Sequence, residues 1–238
     1  MPSTVIDSQI HGSLFSTDEM RKIFSDESWV QKWLDTEATL ATAQAELGVI
    51  PQDKADIINN YAKDELIDIP SIGEYYKSSI TIVPLLKAFK AILPDNVGEY
   101  IHWGATSQDI VDTGLVLLQR DAYNVILRDL KICQKSILKL AKKYRDVPMA
   151  GRTHVVHAIP ITFGYKAAVW ADELGRDIQR MESMYERVFV GEMVGAVGTL
   201  ASQPEHGLET QKRMFGILGL GVLTISWHVA RDSQVQFV

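Results

Sequence analysis

Between Ser107 and Tyr144 the chain runs for 38 residues with no proline and one glycine, Gly114. If helical throughout, this run is roughly 57 Å long at 1.5 Å rise per residue. Its apolar residues fall at Val111, Leu115, Leu118, Ala122, Ile126, Leu130, Cys133, Ile137 and Leu140, in steps of three and four. That is a heptad seam with one stutter, the pattern of a bundle helix. A second seam through Phe163, Ala167, Trp170, Leu174, Ile178, Met181, Tyr185 and Val188 predicts another helix from about Phe163 to Glu192. Helices this long cannot bury themselves, so they need partners later in the chain or on other subunits.

The ends of the first long helix are marked. Thr106 and Asp109 stand three apart like a capping box with Asp in place of Glu. Asp109 and Asp112 open the helix and Lys139, Lys142 and Lys143 close it, each set complementing the dipole. Upstream, Asp26 is placed to cap a helix to about Leu47, which Gly48 ends, and Pro51 suits the first turn of the next, to about Ala62. A further helix is predicted from about Ser71 to Ile92, bent at Pro84. Downstream, a shorter helix spans about Glu205 to Leu218 and Gly219 terminates it, while Ser226 is placed to cap a last helix from Trp227. No β alternation is evident, so the fold class is all-α. The division expected is a small N-terminal helical domain over 1–105, then part of a long-helix bundle over 106–238.

Net charge −6 argues against a general nucleic-acid binder. The like-charged stripe of Lys131, Lys135, Lys139 and Lys143 reads as a solvated face. No apolar run reaches the ~18 residues of a membrane span, and no secretory signal is evident. The lone cysteine, Cys133, cannot form an internal disulfide, which favours a cytoplasmic setting, and its place in the seam suggests packing.

Two polar clusters interrupt this scaffold. One is His102-Trp-Gly-Ala-Thr-Ser-Gln-Asp109, which sets Thr106, Ser107 and Gln108 at a helix N-terminus. Backbone N–H groups and the dipole there favour an anion, although a Thr or Ser in that place also serves as an ordinary cap. The other is Ala150-Gly-Arg-Thr-His-Val-Val-His-Ala-Ile-Pro160, between the two long helices. Gly151 and Pro160 predict an irregular segment. Histidine as a residue type suits proton transfer near neutrality, so His154 is either a general acid or base or a hydrogen-bonded structural residue. His154 and His157 are three apart, but no Cys, Asp or Glu ligand set accompanies them, so no metal is expected. Ala196-Val-Gly-Thr199 has no phosphate-loop lysine after it.

Taken together these stretches resemble the fumarase/aspartase superfamily. His102 to Thr113 is similar to its first signature region and Gly151 to Pro160 to its second; Gly195-Ala-Val-Gly-Thr199 and Ala230-Arg-Asp232 resemble further landmarks. Phe24-Ser-Asp26, Trp103 and Ser226-Trp-His-Val-Ala-Arg-Asp232 look most like the 3-carboxy-cis,cis-muconate cycloisomerase branch. The adenylosuccinate lyase branch is the neighbouring alternative, though its Arg-His-Asp-Val stretch is missing and Lys77-Ser-Ser-Ile-Thr81 stands about where it would fall.

The resemblance implies a cofactor-free addition or elimination next to a carboxylate, run by four subunits whose sites are shared between chains. Thr106, Ser107 and Gln108 would bind the substrate carboxylate, with Thr153 in support and His102 lining the pocket. His154 would be the general acid or base, and Arg231 is a weaker candidate. Members are roughly twice this length and carry a third signature, Gly-Ser-Ser-x-Met-Pro-x-Lys-x-Asn, whose serine is the usual base. That stretch is not in the 238 residues, which implies that the chain alone is inactive. The alternative of another class is a helical scaffold that keeps the fold without the chemistry.

Overall fold

The computed structural model describes residues 4–6, 8–75 and 82–237. Among them the chain is predominantly helical and falls into two units, Met1–Ala122 with Glu186–Val238, and Tyr123–Tyr185. No helix of the described residues is long and apolar enough to cross a membrane.

In the first unit, α1 (Asp18–Ile23) and α2 (Asp26–Glu46) open the fold. The cap of α2 is Ser25 rather than Asp26: the Ser25 side chain accepts from the Ser28 N–H, and Asp26 becomes the first helical residue, where its charge still suits the dipole. Val30, Leu34, Ala38 and Ala41 of α2 face a core completed by Ile58 of α3 (Gln52–Tyr61), Ile72 of α4 (Ile69–Tyr75), Leu85 and Phe89 of α5 (Val83–Ile92), and Ile110 of α6 (Ser107–Lys143). The predicted helix from Ser71 to Ile92 is thus two pieces, and residues 76–81, including Lys77-Ser-Ser-Ile-Thr81, lie outside the described residues. Pro84 starts α5 instead of bending a longer helix, as a residue without an N–H to spare does best.

α2 also packs on α8 (Gly207–Leu218), which ends as predicted at Gly219, in the left-handed conformation with φ +65°. Gly191 lies so close to the Phe215 ring of α8 that any Cβ would collide with it. The expected last helix from Trp227 does not form. Ser226 donates to the Glu192 carboxylate instead of capping, and only the single turn α9 (Asp232–Val235) follows.

The second unit comprises the C-terminal part of α6, a β-hairpin and most of α7 (Phe163–Val188). α7 stops four residues short of the predicted Glu192. Small residues bring the helices together: a Cβ on Gly164 would stand 2.6 Å from the Ala141 carbonyl, and Ala167 and Ala171 are buried one turn apart below it. The Gln134 amide donates to the Ala171 carbonyl at 3.1 Å, and the Tyr144 and Phe163 rings meet edge to face at 5.5 Å. The outward seam stays uncovered. Of the seam residues, Leu140 and Trp170 are each 41% exposed, and Ile132 beside the seam is 58% exposed. Cys133, expected to be packed, is exposed with them.

The segment expected to be irregular is a hairpin. β1 (Pro148–Thr153) and β2 (Val156–Thr162) pair antiparallel, Thr153 opposite Val156, with a register shift between Ala150 and Arg152. Gly151 sits in that irregularity, where a Cβ would stand 2.5 Å from the Ile159 carbonyl. Most side chains of the ribbon are exposed and the rest do not alternate with them, so its sequence has no inward face to read.

Candidate active site

The polar turn before α6 is built from the inside. Asp109, wholly buried, reaches back with Oδ2 to the Thr106 N–H at 2.9 Å, the carboxylate half of the expected capping box. The same carboxylate accepts from the Val194 and Gly195 main-chain N–H groups, each at 2.9 Å, and lies 3.1 Å from His228 Nε2. One side chain therefore ties the start of the long helix to two distant segments.

Glu192, also buried, accepts from the Trp227 N–H at 3.0 Å and from the Ser226 hydroxyl at 3.1 Å. Burial pushes its carboxyl up from the ordinary range, against the Trp227 N–H, the His228 ring and the Ser226 hydroxyl, which pull it down. Asp109, Glu192 and His228 bring ligand-type atoms within 4.8 Å of one another. However, N–H donors already point at these oxygens, and donors repel a cation. The cluster is a hydrogen-bonded clasp. Beside it, Arg231 forms a two-pronged pair with Asp112 at 2.7 and 2.8 Å and lies over the Trp227 ring, so it braces the segment that carries His228.

The turn itself is held by side chains from other elements. His102 and Gly104 both have positive φ, +57° and +74°. The Trp103 carbonyl accepts from the Gln44 amide at 2.7 Å and from the Gln203 amide at 3.3 Å, and the Gly104 carbonyl from the Ser202 hydroxyl at 2.8 Å. Glu37, buried in the middle of α2, accepts from the His102 main-chain N–H at 2.8 Å and lies 2.7 Å from its Nδ1. Burial pulls the His102 ring down, but the Glu37 hydrogen bond and the charges of Glu37 and Asp109 outweigh it and hold the ring above the usual histidine value.

The structure thus gathers His102, Thr106, Ser107 and Gln108 in the first unit. Gln108 is already engaged, its amide donating to the His228 carbonyl at 3.1 Å. The Thr106 and Ser107 hydroxyls take no hydrogen bond among the described residues. The Asp109 N–H, which a capping hydroxyl would accept, goes to the Thr106 carbonyl at 3.1 Å instead, so neither hydroxyl is spent on the ordinary capping that would explain its presence.

Thr153 and His154 belong to the second unit, at the hairpin tip. His154 and Val155 form a two-residue loop with φ +46° and +62°, the primed turn that matches strand twist but is normally given to Asn and Gly. Both side chains are exposed, Val155 fully. A β-branched residue here is strained by about 1–2 kcal/mol. Val155→Gly is accordingly expected to stabilise the chain by about 0.5–1 kcal/mol after the entropy that glycine costs. Chemical denaturation measures this, and a loss of stability would show that the valine has a packing role the fold does not reveal.

Glu37, Asp109 as a clasp, Glu192 and His228 were not singled out from sequence. The available signals were a glutamate among the alanines of a buried helical face, and the histidine within Ser226-Trp-His-Val-Ala-Arg-Asp232.

The comparisons with known proteins agree with this architecture. A family model described as Lyase matches residues 14–230. N-acetyl-S-(2-succino)cysteine lyase of Enterococcus italicus is 46% identical over 98% of this chain and 51% of its own length. Adenylosuccinate lyase of Methanothermobacter thermautotrophicus is 42% identical over 94% and 50%. The crystal structure of β-carboxy-cis,cis-muconate cycloisomerase from Acinetobacter calcoaceticus superposes with TM-score 0.93 at 36% identity, covering 96% of this chain and 55% of that one. The chain spans about half the length of the curated relatives it matches. With the family model covering nearly all of it and both polar clusters in place, this chain is a member of the lyase family, in the fumarase/aspartase superfamily.

Proposed function

We propose that the chain supplies the carboxylate-binding and acid–base parts of a lyase that eliminates a heteroatom group from a succinyl-type substrate. The observation that carries this reading is the pair of uncommitted hydroxyls, Thr106 and Ser107, at the N-terminus of a 37-residue helix whose first turn is closed without them, by the Asp109 carboxylate on the Thr106 N–H and by the Thr106 carbonyl on the Asp109 N–H. Fixed donors aimed at a carboxylate are what this chemistry needs. A base takes the proton next to the carboxylate, and the electron pair passes into the carboxylate, which then carries two negative charges. Donors that need not reorganise stabilise that charge. The pair then returns to form the double bond as the carbon–heteroatom bond breaks, and His154 gives its proton to the leaving group. The names of N-acetyl-S-(2-succino)cysteine lyase and adenylosuccinate lyase both carry a succinyl-type element, which favours carbon–sulfur or carbon–nitrogen cleavage.

The cycloisomerase reading expected from sequence is retained as the second. The superposition on the muconate cycloisomerase supports it. There an internal carboxylate adds across a double bond to close a lactone, and the same donors serve. In either case the open seam on the second unit and the exposed tip carrying His154 suit a homo-oligomer with shared sites.

Fumarate, as the unsaturated dicarboxylate product of such an elimination, is the probe. Added to the isotope-labelled 238-residue chain, it is expected to shift the amide resonances of Thr106, Ser107 and Gln108. The chain alone is expected to show no turnover, since the third-signature serine is not in it. Absence of any fumarate-dependent shift within residues 102–109 would sink the carboxylate assignment.

A further inference from the structure

Glu37 is wholly buried at the centre of α2, where neighbouring positions hold Ala38, Leu40 and Ala41. Removing a carboxylate from water costs several kcal/mol unless hydrogen bonds compensate. Among the described residues both bonds that Glu37 accepts come from one residue, His102, and from two different parts of it. Oε2 takes the main-chain N–H of a residue in the left-handed conformation, and Oε1 takes ring Nδ1.

A carboxylate without its proton only accepts, so the facing Nδ1 must carry the hydrogen. In the neutral ring this leaves the lone pair on Nε2. In the charged ring it leaves Nε2–H as the donor. We propose that Glu37 is the positioning residue of His102: it fixes the backbone turn and the ring tautomer together, and so presents Nε2 as the one atom of that ring that takes or gives a proton beside the turn 102–109. The proposal rests on the reading of that turn as a carboxylate site, and it deepens that reading by giving the site a histidine cation.

The charged groups facing His102 are Glu37 from α2 and Asp109 from α6, and both favour the protonated ring. A histidine cation beside the Thr106 and Ser107 hydroxyls attracts a carboxylate, so fumarate affinity should fall as the pH rises through the His102 midpoint.

The test is a histidine-ring nitrogen titration of the intact 238-residue chain, with the His102 signals assigned by their loss in His102→Gln. In the unsubstituted protein the neutral ring is expected to be the Nδ1–H tautomer. In Glu37→Gln one acceptor remains, the charge is gone and an amide NH2 faces the His102 N–H. The His102 midpoint should then move from above the ordinary histidine value to below it, because burial is left to dominate, and the pH dependence of fumarate binding should disappear. An Nε2–H tautomer in the unsubstituted protein overturns the proposal, and that measurement stands even if Glu37→Gln does not fold. A midpoint unmoved in a folded Glu37→Gln overturns it too. If the tautomer and midpoint behave as described but fumarate shifts nothing in 102–109, the Glu37–His102 link holds and the carboxylate assignment is what fails.

Discussion

Replacing His154 by alanine is expected to lower kcat/KM by about 10²–10⁴-fold in a form of this lyase that also supplies the third signature, the usual cost of losing a positioned acid or base. Folding should be untouched. His154 is exposed at the tip of a ribbon and its side chain takes no hydrogen bond or ion pair among the described residues, so the melting temperature should stay within about 1–2 °C, as for surface substitutions generally. That separation of rate from stability distinguishes an enzyme from a scaffold that merely keeps the fold. Steady-state kinetics and calorimetry on the same preparation check both halves. A variant that turns over normally would remove His154 from the chemistry, and one that melts early would make it a structural histidine.

Asp109→Ala is expected to do the reverse, costing about 3–5 kcal/mol of stability, the range for breaking a buried charged cluster by removing one partner. The Thr106, Val194 and Gly195 N–H groups lose their acceptor, and the last two lie in buried backbone. Buried donors left without partners cost about 1–3 kcal/mol each when nothing replaces the acceptor, so the total is set by how much water can enter. For a chain of this size the loss corresponds to roughly 6–20 °C in melting temperature. Asp109→Asn should recover only part of it, because an amide offers one acceptor oxygen and turns two hydrogens toward other donors. Thermal unfolding of the three proteins measures this. Equal stability of Asp109→Ala and the parent would show that the clasp contributes nothing net.

The contrast between these two residues also explains what the sequence could reveal. Long helices were legible because Val111 to Leu140 and Phe163 to Val188 repeat an apolar step over many turns, and a solvent-facing backbone cannot mimic that. Thr106, Ser107 and His154 stand out as candidates in the sequence because polar residues are clustered where helical punctuation alone does not need them all. The hairpin at Pro148–Thr162 was not, since period-two reading requires one buried face and this ribbon has none. Glu37 was hidden for the opposite reason. A glutamate in a helix normally faces water, and only the approach of His102, distant in sequence, makes its burial tolerable. The Ser226 cap failed in the same way: a hydroxyl that suits a helix start was taken by Glu192, a partner no local rule could name.

The clasp has a further meaning for the way the chain comes into being. Asp109 and His228 are 119 positions apart, and Asp109 and Gly195 are 86 apart. A ribosome adding about 5–20 residues per second makes Thr106, Ser107 and Gln108 roughly 6–24 s before His228 exists. During that interval a nascent α6 can coil, but the buried carboxylate that disciplines its first turn has no companions. The proposed carboxylate cradle is consequently a late event in biosynthesis, completed by a segment made long after the cradle's own residues.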